Sequence, residues 1–299
     1  MKKLNIEDEI NKNRLKSNIL VLLVFLSIVF IGYFLGYIFD PSSTYLFLII
    51  ALIFSGLFTF ITYYYSDKIV LSSVRARPAN PKEHKYLINV VEGLALSAGV
   101  PTPRIFVIDS NELNAFATGR DPKNAVICVT TGLMKVLNRS ELEGVIAHEM
   151  SHIKNYDVRF ATLVAVMVGI VVILSDIFRR SLFFGVKKDD DRGEKSSGLF
   201  FIIGIIFVIL APIFAKLVQL AISRKREYLA DSNGAYLTRY PEGLASALEK
   251  IKEHNSGGLR VNQAVAPLFI VNPLSGKDVL TLFSTHPPIE ERIKKLRSM

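Results

Sequence analysis

The chain has 299 residues, half of them apolar, with 36 basic against 27 acidic side chains and a net charge of +9 at pH 7. It is too long for a minimal domain and short enough for one catalytic unit with additions, and its single cysteine, Cys128, excludes a disulfide framework and fits a reducing cytoplasm. Its basic excess gathers at the ends of apolar runs and forms no patch interleaved with aromatics, which reads as a membrane-orientation signal and argues against a nucleic-acid partner.

Residues 18–39 and 44–65 contain no charged side chain. A bilayer core about 30 Å thick needs roughly 20 helical residues, so each run is long enough to span. The first is too long for a cleavable signal peptide, and no small-residue cleavage site follows it. Lys2, Lys3, Lys12, Arg14 and Lys16 precede it, whereas residues 40–43 between the runs carry no basic group. The positive-inside rule therefore predicts a cytoplasmic N-terminus and a cytoplasmic segment 66–159.

Residues 82–99 predict an amphipathic helix, with Leu87, Val90, Val91, Leu94 and Leu96 on its apolar face and Gly99 ending it. Residues 104–109 and 125–130 are β-rich runs, with a further short strand at 114–119 between them. Three short strands beside helices predict a small sheet covered on one face. Ser140-Glu141-Leu142-Glu143 predicts a capping box between Ser140 and Glu143, opening a helix that runs to about Asn155.

That helix carries the most informative stretch of the chain, His148-Glu149-Met150-Ser151-His152. Residues four apart lie on one helix face, so both imidazoles can reach a single metal ion, and Glu149 lands beside the water that such an ion would hold. Residues 160–178, blemished only by Asp176, and 199–222, interrupted by Pro212, Lys216 and Gln219, are predicted as third and fourth spans. The loop 179–198 carries six basic residues, accompanied by Asp189, Asp190, Asp191 and Glu194. Arg224, Lys225 and Arg226 follow the fourth run and place the C-terminal region in the cytoplasm too. Residues 255–258 read as a Gly-rich loop and 290–297 as a charged terminal helix.

A catalytic zinc site takes three protein ligands and leaves one position for water. The pattern H-E-x-x-H-x-x-G-x-x-H, which would supply a third histidine, fails over residues 153–159, and His84 and His254 lack metal-like neighbours at suitable spacing. The candidate is Glu227 in Arg226-Glu227-Tyr228-Leu229-Ala230-Asp231, with Asp231 four residues on, placed to accept the free N–H of a ligating histidine. Two predicted spans separate His152 from Glu227, so both lie on the same side of the bilayer. The short connections to those spans put the metal on the order of 10 Å from the bilayer face.

Taken together, H-E-M-S-H, E-Y-L-A-D, the apolar hairpin between them and the two N-terminal spans resemble the HtpX membrane metalloproteases, gluzincin peptidases related to the CAAX prenyl proteases. Residues 114–119 (N-A-F-A-T-G) and 284–288 (S-T-H-P-P) are also similar to family motifs, in the expected order. The resemblance implies one zinc ion on His148, His152 and Glu227, Glu149 as general base and acid, and Asp231 behind a ligand. It also implies Asn114 on an edge strand that holds the substrate backbone, and His286 steadying the oxyanion. The expected fold is an α+β membrane protein, mainly helical, with four spans and a small sheet beside a zincin-type helix. Its parts are residues 1–65 (first two spans), 66–159 (cytoplasmic half with the H-E-x-x-H helix), 160–222 (membrane hairpin) and 223–299 (cytoplasmic half with the third ligand). The expected activity is zinc-dependent endopeptidase action at the cytoplasmic face of the inner membrane, on unfolded or membrane-associated proteins, in membrane-protein quality control. Alternatives are a CAAX-type processing protease, for which further spans are missing, and a non-catalytic zinc scaffold, for which a fourth protein ligand is missing. An intramembrane protease of the site-2 type is disfavoured by the charges in 138–157.

Overall fold

The computed structural model describes residues 6–39, 41–184, 224–255, 258–259, 261, 264–273 and 287–299. Two long helices, α1 (Ile6–Phe39) and α2 (Thr44–Ser73), form a hairpin closed by a 3-10 turn at Pro41–Ser43. They pack closely enough that a Cβ on Gly32 would stand 2.2 Å from that of Ala51, and Ser55 Oγ donates across the pair to Phe25 O at 2.9 Å. Only 11% of the apolar stretch of α1 and 17% of that of α2 are buried, which is not how a core helix behaves. Leu22, Phe30, Tyr37, Ile53, Phe54 and Phe60 all face outward.

The apolar runs mark neither helix fully. α1 starts twelve residues before residue 18, and α2 continues to Ser73, burying Val70 and Leu71 with Val74 against the sheet. The boundary drawn at 65/66 therefore falls inside a helix, because hydropathy reports where apolar side chains end and not where backbone hydrogen bonding ends.

After α2 come β1 (Arg77–Pro78), α3 (Lys85–Ala98), β2 (Arg104–Ile108), β3 (Ala115–Thr118) and β4 (Val126–Thr130). The sheet order is β1-β2-β4-β3, with β2 and β4 parallel and both outer pairings antiparallel. The expectation of a sheet covered on one face is corrected. Val107, Ala115, Ala117, Ile127 and Val129 pack on α3 and the helices beyond, while Phe116, Val126 and Cys128 pack on α2 and Phe269. The unbroken apolar run A-V-I-C-V was the signal for burial on both faces. In α3 the apolar stripe runs Leu87, Val90, Val91, Leu94, Ala95 and Ala98, and Leu96, expected on it, is 85% exposed. Spacing three and four from Leu87 selects Ala95, and Leu96 falls on the opposite side.

A short α4 (Thr131–Val136) leads into α5 (Arg139–Lys154), the helix with both histidines. Its capping box is two residues earlier than expected. Asn138 Oδ1 accepts from Glu141 N at 3.0 Å, and Glu141 Oε2 accepts from Asn138 N at 2.8 Å. Ser140 is already helical and donates to Asn138 Oδ1 at 2.9 Å, and Glu143 pairs with Arg139 at 2.8 Å. Then follow α6 (Asp157–Phe184), α7 (Arg224–Thr238), α8 (Pro241–His254) and α9 (Ile289–Leu296).

Among the described residues α1 and α2 alone are long and apolar enough to cross a bilayer, against four spans expected. Helix α6 begins before residue 160 and runs six residues into the stretch read as a loop from 179. Its first turns, with Phe160, Leu163, Val164 and Met167, are buried beside Leu20 of α1. The fourth expected span, 199–222, lies outside the described residues. The architecture is thus mainly helical, with a small mixed sheet clamped between the base of the hairpin and the α5 layer.

Candidate active site

Helix α5 holds His148 and His152 one turn apart, with ring centroids 4.8 Å apart and Nε2 atoms 3.2 Å apart. Helix α7 crosses α5 so closely that a Cβ on Gly234 would come within 3.1 Å of His148 N, and Asn233 Nδ2 donates to Ser151 Oγ at 3.0 Å. This crossing brings Glu227 to the imidazoles, its carboxylate oxygens 3.8 Å from His148 Nε2 and 3.5 Å from His152 Nε2. One donor atom from each of the three residues lies within 4.8 Å of the others.

The far side of each ring is engaged by a carboxylate. Asp231 Oδ1 lies 2.9 Å from His148 Nδ1, and Asp157 Oδ2 lies 3.1 Å from His152 Nδ1. Carboxylates accept, so each Nδ1 carries a hydrogen, and in the neutral rings each Nε2 lone pair turns inward, towards the other and towards an anionic oxygen. Two lone pairs and a carboxylate facing one another repel unless a cation sits among them, so the donor set fits a divalent metal ion.

Electrostatics around the trio point the same way. Burial pushes His148 below the ordinary imidazole value, helped by Arg292 and against the pull of Asp231. At His152 burial also disfavours charge, yet Asp157 and Glu227 outweigh it and raise the group to about 9, so this position stabilises positive charge. Glu149, adjacent to His148 and 2% exposed, is pushed up to about 7, chiefly by burial and further by Glu227, with His152 and Arg292 opposing.

Sequence reasoning placed Asp231 behind a ligand and missed what holds Asp231. Arg292 of α9, 1% exposed, grips it with two bonds, Nε to Oδ2 at 2.9 Å and Nη2 to Oδ1 at 2.7 Å, and donates to Ile270 O at 3.0 Å. Against the cost of burial this guanidinium and His148 hold Asp231 down at about 2. The signal was present in the chain: Arg292 lies on the stripe formed by Ile289, Ile293 and Leu296, the face that docks, and not on the solvated side of a charged helix. Asp157, which serves His152, was also missed.

Asn114 is fully buried, and its side chain is used within the protein. Nδ2 donates to Val271 O at 2.8 Å, and Oδ1 accepts from Ala115 N at 3.1 Å. Ile270 N donates to Ala115 O at 2.9 Å and Phe116 bridges antiparallel to Phe269, so the edge of β3 expected to be open already carries residues 269–271. Beside it a cleft is lined by Ala117, His148, Glu149, Glu227, Phe269 and Ile270. His286 lies outside the described residues. His84 and His254 stay apart from the cluster, His84 Nδ1 accepting from Asn80 N at 3.0 Å and His254 Nδ1 lying 2.8 Å from Lys250 O.

A sequence model of peptidase family M48 matches residues 81–299, a stretch that takes in β2, β3 and β4, both histidines, Glu227 and α9. The chain belongs to peptidase family M48. Along its full length this M48 chain is 47% identical to the protease HtpX homolog of Dictyoglomus turgidum, covering 96% of that protein. It is 48% identical to the HtpX homolog of Pyrococcus abyssi over 93% of this chain and 94% of that one. The crystal structure of S. mikatae Ste24p superposes more loosely, with a TM-score of 0.49 and 20% identity over 92% of this chain and 67% of that one. The family match and the two HtpX homologs bear out the resemblance drawn from the motifs, and the M48 chain is a metallopeptidase, a hydrolase acting on proteins.

Proposed function

We propose that the chain is an integral membrane zinc endopeptidase cutting at the cytoplasmic face of the inner membrane. The observation that carries this reading is the meeting of His148, His152 and Glu227 in one place with Glu149 buried beside them. Two imidazole nitrogens and one carboxylate oxygen are donors that a catalytic zinc takes, and they leave a place for water. When bound there, zinc polarises the scissile carbonyl and makes water acidic near neutrality.

The protein's own groups do the rest. Glu149 takes the proton of the attacking water and passes it to the leaving amine, and its burial keeps it basic enough to hold a proton near pH 7. Asp231 and Arg292 fix His148. His286, on the strength of the family resemblance, donates to the carbonyl oxygen as negative charge grows, a contact worth about 10²–10³ in rate. On the strength of the family resemblance Asn114 holds a substrate strand beside the β3 edge, and pairing through the backbone gives broad sequence tolerance.

Membrane insertion is supported by the outward apolar faces of α1 and α2, which water would not tolerate over such an area. The basic residues before the first apolar run support a cytoplasmic site. A cleft at the base of that hairpin meets membrane-associated and unfolded segments first, which suits quality control of membrane proteins. The test is cleavage of a model membrane protein by purified wild type and Glu149→Gln, with and without chelator. The variant should keep its zinc and lose cleavage, and full activity would remove Glu149 from the chemistry.

A further inference from the structure

Asn13 belongs to α1, five residues before the first apolar run, yet it is 2% exposed. Its Nδ2 donates to Asp157 Oδ1 at 2.7 Å and to Asn155 O at 3.0 Å. Both partners are acceptors, which settles the amide's orientation. The other carboxylate oxygen, Asp157 Oδ2, takes the Nδ1 hydrogen of His152. An unbroken path therefore runs from the first helix of the hairpin through Asn13 and Asp157 to an imidazole of the proposed metal centre.

Docking alone does not call for this residue. Asn13 Oδ1 is buried without a hydrogen-bond partner among the described residues, an unfavourable state that an apolar side chain would avoid. The base of α1 is anchored elsewhere as well. Arg14 stacks 4.2 Å from the Tyr156 ring and donates to its hydroxyl at 2.6 Å, and Asn18 Oδ1 accepts from Arg159 Nη2 at 2.7 Å. Neither of these contacts leads to a metal ligand.

We propose that Asn13 is a positioning residue for the metal centre, holding Asp157 where it fixes the tautomer and tilt of His152. The inference rests on the zinc reading above. It makes the first helix of the hairpin a structural part of the site and not only an anchor, since the amide that aligns a ligand's carboxylate comes from that helix.

The full-length protein tests this with zinc as probe. Chelator competition gives the zinc affinity of wild type, Asn13→Ala, Asn13→Asp, Asn18→Ala, Asp157→Asn and the Asn13→Ala/Asp157→Asn double variant, with melting curves checking the fold. Loss of a group behind a ligand typically weakens metal binding 10–100-fold, and one step further out we expect about tenfold for Asn13→Ala. The near-isosteric Asn13→Asp keeps the packing and removes the donor, so it should lose at least as much, while Asn18→Ala should stay within about twofold of wild type. The double variant should bind zinc no more weakly than Asp157→Asn alone, because both changes act on one path. Wild-type affinity in Asn13→Asp, equal losses in Asn18→Ala and Asn13→Ala, or additive losses in the double variant would each overturn the inference. Absence of zinc from the wild type would instead remove the metal reading beneath it.

Discussion

At the scale of single residues, Glu149 has surroundings unfavourable to its own charge. Its carboxyl stands at about 7 in the fold against an ordinary 4.5, mainly because it is buried. A folded-state value above the unfolded one means the fold binds the proton more tightly, so this contribution to stability is complete below pH 4.5 and is lost as pH rises through 7. The shift corresponds to about 3 kcal/mol. Chelator-treated Glu149→Gln should therefore melt well above equally treated wild type at pH 8 and alongside it at pH 4. A gap of the same size at both values would contradict this origin. The Asp231 and Arg292 pair poses the converse case. Asp231→Asn keeps the volume and leaves a fully buried guanidinium with its charge unmatched, which should cost about 3–5 kcal/mol in a denaturant titration. Zinc affinity should fall in parallel by roughly 10–100-fold, since the Asn amide holds the His148 ring less firmly.

The secondary elements show where local signals suffice. Residues of α5 were legible because caps, helical spacing and metal chemistry all agree over one stretch, and only the identity of the cap shifted. Two overlapping sequences, 138–141 and 140–143, both satisfy the pattern, and the fold uses the one whose glutamate also reaches Lys250 of α8 at 2.7 Å. Asn138→Ala should accordingly cost about 1 kcal/mol or more of stability, and Ser140→Ala less than about 0.5 kcal/mol, in paired thermal melts. The strands were legible as strands, but β1 was not. Two residues, one of them proline, carry no periodicity, and only the neighbouring β2 makes them a strand. Residues 269–271 escaped for the same reason: their pairing with β3 is a matter of tertiary contact, not local propensity.

For the whole molecule, the chain revealed its apolar helical hairpin, the helix that carries both histidines and the two separated parts of the candidate site, because each rests on charge or spacing within a short window. It did not reveal the layer formed by α9 or the descent of α1 to Asp157, since Arg292 and Asn13 gain meaning only from partners 61 and 144 residues away. Sidedness is open to direct measurement. Cys128, the only native cysteine, is buried, so single cysteines introduced at exposed positions should react cleanly. Ser42→Cys in the hairpin turn should label with an impermeant maleimide added to intact cells, and Glu253→Cys on α8 only after lysis; the reverse pattern would invert the proposed topology. The central claim, that two imidazoles and the distant Glu227 share one ion, is tested most directly by X-ray absorption at the zinc edge, on purified wild type and Glu227→Ala. The wild type should show one zinc per chain with two imidazole nitrogens and light oxygen donors, and Glu227→Ala should lose most of its zinc together with cleavage. A fully occupied, active Glu227→Ala protein with an unchanged zinc spectrum would contradict it.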